Sequence, residues 1–133
     1  GWGDAGPLEV LVTGPARAVG PIRSDGIEVA RVALGRRPRP TALLALSDAL
    51  AVGALEAARW IGLRVPRDVS VVGMDDLPGG DALRLTSVFV PYEPMGELAG
   101  ATLARLMGGE RAVEPAPLPT SLTVRGTSGP APG

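Results

Sequence analysis

A chain of 133 residues with 45% hydrophobic residues and a net charge of -1 is long enough for one globular domain but too short for two full ones. It contains neither Cys nor His, which excludes disulfides, thiol and imidazole catalysis and the usual zinc ligand sets. The near-neutral charge gives no bulk attraction to nucleic acid, and no apolar run has the roughly 18 residues that a membrane span needs. We therefore expect a cytoplasmic protein without a membrane partner, a metal or a cofactor.

The first part of the chain alternates between predicted strands and helices. A strand is predicted from residue 8 to residue 13 (LEVLVT), where β-branched residues precede a Gly-Pro turn. A helix is predicted from Asp25 to Leu34, because Asp25 can cap it and Glu28 follows three residues later, as in a capping box. Residues 41–46 (TALLAL) are almost wholly apolar, which is typical of a parallel strand covered on both faces.

The next predicted helix is strongly apolar. Ser47 or Asp48 can cap it, and it ends near Ile61, before a glycine. Past the cap, its only charged residues are Glu56 and Arg59, which lie close together on the helical wheel. We expect the rest of its surface to be covered by the sheet and by a subunit interface, a neighbouring subdomain or another part of the same domain.

The second part of the chain continues the alternation. Pro94 suits the first turn of a helix that runs to Met107 and ends at a Gly-Gly pair. A disordered-looking tail is predicted from Gly126. Strands are predicted at residues 69–74, 86–90 and 118–124, with a loop at 75–85. The order of elements predicts the α/β class, with a parallel sheet and right-handed crossovers.

Polar side chains follow two of the apolar strands. Ser47 and Asp48 come after one, and Asp75 and Asp76 after the next. In an open parallel sheet, ligands bind beyond the carboxyl ends of the strands, so these residues are candidates for a binding site. A structural interpretation is also open, since Ser47 and Asp48 can cap a helix and turn carboxylates often accept backbone N–H groups. A metal site is not favoured, because no third ligand is evident.

Four segments in the same order resemble the lactose-repressor/galactose-repressor (LacI/GalR) family of bacterial transcription regulators. They are PTALLALSDALAVGAL, GLRVPRDVSVVGMDD, LTSVFVPYEPMGELA and LPTSLTVRGTS. The resemblance implies a periplasmic-binding-protein-like type I fold with helices on both faces of the sheet. It further implies that residues 1–90 form one effector-binding subdomain, that 91–117 form a crossing segment and a helix packed on a second subdomain absent from this chain, and that 118–133 form a final strand and a flexible tail.

The resemblance also implies a ligand site. Asp75 would accept hydrogen bonds from ligand hydroxyl or ring N–H groups, and Tyr92 would offer a ring face to a sugar or base. The other positions that match ligand-contacting positions of the family are Ser47, Val90, Ile22 and Arg23. The expected ligand is a small effector of the sugar or purine class.

The expected partners follow from the same family. The helix from Ala49 to Ile61 would form a homodimer, and DNA would be bound only by a helix-turn-helix that this chain lacks. Two other functions remain open on the sequence. One is a solute-binding protein of the same fold for transport or chemotaxis, and the other is a doubly wound enzyme with carboxylate chemistry, for which no nucleophile and base pair is evident.

Overall fold

The computed structural model describes residues 23–111 and 115–131. The predicted strand at residues 8–13 and the candidate Ile22 lie outside these residues. The described elements, in chain order, are α1 (Arg23–Leu34), β1 (Ala42–Leu44), α2 (Asp48–Trp60), β2 (Ser70–Asp75), β3 (Thr86–Phe89), α3 (Tyr92–Met107) and β4 (Ser121–Thr123). None of the described helices is both long enough and apolar enough to cross a membrane.

The described strands form one sheet in the order β1-β2-β3-β4. The first three strands are parallel, with Leu43 opposite Val71 and Gly73 opposite Ser87, whereas β4 pairs antiparallel with β3. The predicted α/β class is therefore confirmed, and the last strand is the one that reverses direction. Because β1, β2 and β3 are parallel, the residues that follow them meet at one edge of the sheet.

The core lies between the sheet and α2, and α1 packs against α2 and contributes to the same core. Its largest buried members are Leu34, Val69, Val71 and Leu85, and small alanines of α1 and α2 fill the rest. Two glycines allow the helices to touch. A Cβ on Gly26 would lie 2.3 Å from the Leu50 carbonyl oxygen, and one on Gly53 would lie 2.2 Å from the Arg23 carbonyl oxygen.

This packing shows what covers the apolar surface of α2. Most of the helix is buried against β2 and α1, within its own domain. Its two ends remain accessible, since Ala49 is exposed and Trp60 is 61% exposed. Any subunit contact through α2 therefore has only part of the helix surface to use.

The sequence predicts that both faces of β1 are covered, but one face is uncovered within the described residues. Leu43 and Ala45 pack against the core, so Leu44 and Leu46 point the other way. Within the described residues this side is open, and Leu44 and Leu46 are 62% and 69% exposed. The apolar run predicts a strand buried on both faces, but the composition of one strand does not show which other residues pack on each face.

The bounds of two helices differ slightly from the predictions. Among the described residues α1 begins at Arg23, which puts Asp25 inside the first turn instead of at the cap. Helix α3 begins at Tyr92 after Pro91, and Pro94 lies in its first turn as predicted. Helix α3 has no buried residue. Its apolar side and residues 115–118 line an open groove of about 600 Å³.

Residues 126–131 make defined contacts with the sheet, which corrects the tail predicted from Gly126 for this part of it. Thr127 is 5% exposed, and its backbone oxygen accepts from the Val71 N–H at 2.8 Å. Its hydroxyl donates to the Val71 carbonyl at 2.7 Å and accepts from the Thr86 N–H at 2.9 Å. Glycine and proline suggested flexibility here, but Thr127 supplies partners to backbone groups of β2 and β3.

Candidate functional site

The carboxyl edge of the sheet brings the ends of β1, β2 and β3 together. Ser47, after β1, is the N-cap of α2, because its backbone is extended and its hydroxyl accepts from the Leu50 N–H at 3.2 Å. This decides between the two capping residues that the sequence allowed. The Ser47 hydroxyl keeps its own proton available for a further hydrogen bond.

Asp48, the first residue of α2, is the buried centre of this edge. It is 9% exposed, and its Oδ1 accepts from the Ser87 hydroxyl at 2.6 Å. Its Oδ2 accepts from the Leu77 N–H at 3.2 Å. A Cβ on Gly73 would lie 2.3 Å from Asp48 Oδ1, so the glycine makes room for this carboxylate. Asp48 thus fastens the loop after β2 to the start of α2.

Asp75, the last residue of β2, has a half-buried carboxylate at the same edge. Its Oδ2 accepts from the Asp48 N–H at 3.3 Å, and its Oδ1 accepts from the Tyr92 hydroxyl at 2.5 Å. Tyr92 is 51% exposed. The hydrogen bond to Asp75 is the main cause that raises the pKa of the Tyr92 phenol, with the charges of Asp75 and Asp48 adding to it. The pair offers a carboxylate acceptor and an accessible aromatic ring side by side.

Asp76 has different partners from its neighbour. Its Oδ2 accepts from the Thr123 hydroxyl at 2.6 Å and its Oδ1 from Arg125 Nη1 at 2.7 Å. The Thr123 and Arg125 hydrogen bonds lower the pKa of the Asp76 carboxyl. The two adjacent carboxylates therefore do not share a ligand position, and no group of acidic residues in the described ranges is arranged to hold a metal ion.

The structure brings together four of the predicted site residues. The Val90 N–H donates to the Asp75 carbonyl at 3.4 Å, and its carbonyl accepts from the Tyr92 N–H at 2.9 Å, so Val90 joins Ser47, Asp75 and Tyr92. Arg23 instead donates to Glu56, about two turns along α2 from the edge, at 2.8 Å.

Sequence reasoning did not assign a site role to Ser87 or Arg125. Both fall within matched segments, LTSV and LTVR, but neither side chain's partner is a sequence neighbour. Ser87 of β3 bonds to Asp48 of α2, and Arg125, just after β4, bonds to Asp76, just after β2. Only the pairing of β2, β3 and β4 brings these residues to the edge.

Comparison with known proteins places the chain. Residues 7–128 match the family model described as a periplasmic binding protein-like domain. The chain belongs to the periplasmic binding protein-like domain family. This confirms the resemblance that the four sequence segments indicated, and the fold described above is the fold of this domain.

Its relatives in this family include bacterial transcription regulators. The HTH-type transcriptional regulator MalR of Streptomyces coelicolor is 44% identical over 100 residues, which are 70% of this chain and 28% of MalR. The CelR–cellobiose complex superposes with a TM-score of 0.71 and 36% identity, covering 80% of this chain and 34% of CelR. A dimeric Lac repressor superposes with a TM-score of 0.72 and 32% identity, covering 84% of this chain and 42% of the repressor. The chain thus spans less than half the length of each.

Proposed function

We propose that this chain is the effector-sensing part of a LacI-type transcription regulator. The observation that carries the proposal is the Asp75–Tyr92 pair, an acceptor and an aromatic face held at the carboxyl edge of the sheet. A carboxylate accepts hydrogen bonds from sugar hydroxyls or ring N–H groups, and an aromatic ring stacks on a sugar or a base. The cellobiose complex of CelR supports a sugar as the effector, and a purine is the second class.

The other candidate residues have supporting roles in this proposal. Ser47, which precedes the residue whose N–H binds the Asp75 carboxylate, and Val90, whose N–H donates to the Asp75 carbonyl, would contact the effector directly. Arg23, which binds Glu56 about two turns along α2 from the edge, and Ile22, which lies outside the described residues, remain candidates only through the family resemblance. We assign no catalytic role to any of them, in line with relatives that are named as transcription regulators and not as enzymes.

A second subdomain would complete the cleft. The groove between α3 and residues 115–118 is lined by apolar side chains, and Leu103 and Met107 of α3 are 59% and 82% exposed. Water-exposed apolar surface of this kind is typical of an interface. A subdomain packed there would face Asp75 across the effector, so that binding biases the arrangement of the two halves and thereby the affinity of a separate helix-turn-helix for DNA. Such a role places the regulator in the cytoplasm.

We also propose that two copies pair through the accessible stripe of α2. The stripe comprises Ala49, Val52, Glu56 and Arg59, which lie on one helical face and are exposed or half-buried. The dimeric Lac repressor, which matches 84% of this chain, supports pairing in this family. The buried face of α2 is already occupied by β2 and α1, so the stripe is the part of the helix left for a partner.

The effector proposal is tested by thermal unfolding of the chain with cellobiose, lactose and free purine bases. A ligand at about 100 times its dissociation constant should add about 2.7 kcal/mol to the free energy of unfolding and raise the midpoint. Asp75→Ala should abolish this shift, whereas Asp68→Ala should keep it. Asp68 is a suitable control because it pairs with Arg64 just before β2 begins, at the end of the strand away from Asp75. A ligand-induced shift of unchanged size in Asp75→Ala would contradict the site.

A further inference from the structure

The turn that follows β2 has an unusual backbone. Asp75 and Asp76 have φ angles of 121° and 53°, a region that residues other than glycine rarely adopt. Such conformations persist where the surrounding contacts determine them. The carboxylate of Asp75 points towards Tyr92 only while the turn keeps this shape, so the contacts that hold the turn also decide the site. Asp48 holds the turn from the α2 side, through the Leu77 N–H and the Asp75 carboxylate.

The other contacts converge on Asp76. Its N–H donates to the Ser87 hydroxyl at 3.2 Å, which fixes its backbone to β3. Its carboxylate accepts from Thr123 and Arg125 at 2.6 and 2.7 Å, which fixes its side chain to the last strand and the residues after it. Asp76 is thereby held from both sides, immediately next to Asp75.

Arg125 is itself firmly anchored. The same Nη1 that binds Asp76 also donates to the Leu85 carbonyl at 2.7 Å, and Nε donates to Asp81 at 2.7 Å. Its backbone N–H donates to the Thr86 hydroxyl at 2.9 Å. The Arg125 and Asp76 side chains are 18% and 11% exposed, so solvent screens this ion pair less than an open surface pair.

We propose that Arg125 and Thr123 are positioning residues for effector binding, because through Asp76 they hold the turn that presents the Asp75 carboxylate beside Tyr92. Neither residue touches the Asp75–Tyr92 pair directly. Their effect passes along the backbone from Asp76 to Asp75. The link to effector binding rests on the function proposed above, but the geometry it asserts can be measured without any effector.

Tyr92 reports on this geometry because it is the only tyrosine in the chain. Its phenol titrates above its ordinary pKa while it donates to Asp75. The phenolate absorbance of the folded chain is followed as pH rises, for the parent, Arg125→Met and Thr123→Val. Asp75→Ala gives the titration of Tyr92 without its acceptor. Circular dichroism confirms that each variant stays folded over the pH range.

The expected result is that Arg125→Met and Thr123→Val lower the pKa of Tyr92 towards its value in Asp75→Ala. Thr123→Ser should restore the parent titration, because it returns the hydroxyl that binds Asp76. Arg64→Met should leave it unchanged, since that variant removes a more exposed arginine–aspartate pair just before β2 begins, away from Asp76. A parent-like titration in a folded Arg125→Met or Thr123→Val variant overturns the inference. If the parent and the variants titrate as expected but no ligand stabilises the parent, the proposed function fails while this inference stands.

Discussion

Two neighbouring aspartates at the end of β2 have different side-chain partners. Asp75 lies at the open edge beside Tyr92, whereas Asp76 points towards Thr123 and Arg125 and is shielded by them. The positive φ angles of both residues turn the chain between them. A carboxylate that accepts from a hydroxyl and a guanidinium is stabilised in its charged form, which is why the pKa of Asp76 is lowered.

This lowered pKa predicts how stability depends on pH. Because the folded chain holds Asp76 ionised below its ordinary pKa of 3.8, its stabilising effect is complete above that pH and is lost as pH falls towards the folded value. Asp76→Asn should therefore be less stable than the parent by about 1 to 2 kcal/mol at neutral pH. The difference should shrink when urea unfolding is repeated below pH 3.8.

The comparison isolates Asp76 from other acidic groups. The pKa of Asp68 is lowered to about 2 by its hydrogen bond to Arg64, but Asp68 is present in both chains and its contribution cancels. A stability difference that stays constant from neutral to acidic pH would show that the Asp76 charge does not contribute.

At the scale of elements, the crossing of α1 and α2 depends on the absence of side chains. Gly26 and Gly53 let each helix approach the other's backbone, and the alanines around them fill the remaining space. This close packing fixes α2, which in turn carries Ser47 and Asp48 at its start. The site therefore inherits its position from a helix pair that cannot accept larger residues at two points.

Gly53→Ala should destabilise the chain by about 1 to 3 kcal/mol, although alanine favours a helix more than glycine does. The added Cβ would lie 2.2 Å from the Arg23 carbonyl oxygen and 2.7 Å from the Ile27 nitrogen, so the helices must separate. The control is Gly100→Ala in α3, where nothing lies within 4 Å of the new Cβ and only the gain in helix propensity applies. Equal midpoints for Gly53→Ala and the parent in urea unfolding would contradict this packing.

At the scale of the whole molecule, pairing of two copies through the accessible stripe of α2 predicts that the chain self-associates. Ala49→Arg should weaken self-association about tenfold or more, which corresponds to about 1.4 kcal/mol, because it places a charge in the accessible stripe of α2. Ala49 is exposed, so the change leaves the core intact. Sedimentation over a range of concentrations gives the dissociation constant, and Met107→Arg, at the 82% exposed end of α3, is the control. A parent that sediments as a monomer at all concentrations would exclude pairing through this surface.

Much of the fold could be predicted from local pattern. The apolar runs of β1 and β2, the cap at Ser47 and the Pro94 helix each depend on residues close together in the chain, and the structure has each of them. The ordered Thr127 could not be predicted in this way, because its partners in β2 and β3 are far away in sequence.

The sequence by itself determined the α/β class, the order of the described elements and the edge at which polar residues collect, since periodicity and capping are local properties. It also indicated the family, through four segments in a fixed order. Only the tertiary structure decided that Asp75 contacts Tyr92, that Asp76 contacts Arg125, and that α1 covers much of α2. These outcomes depend on strand pairing and backbone direction, which join residues that no sequence spacing connects.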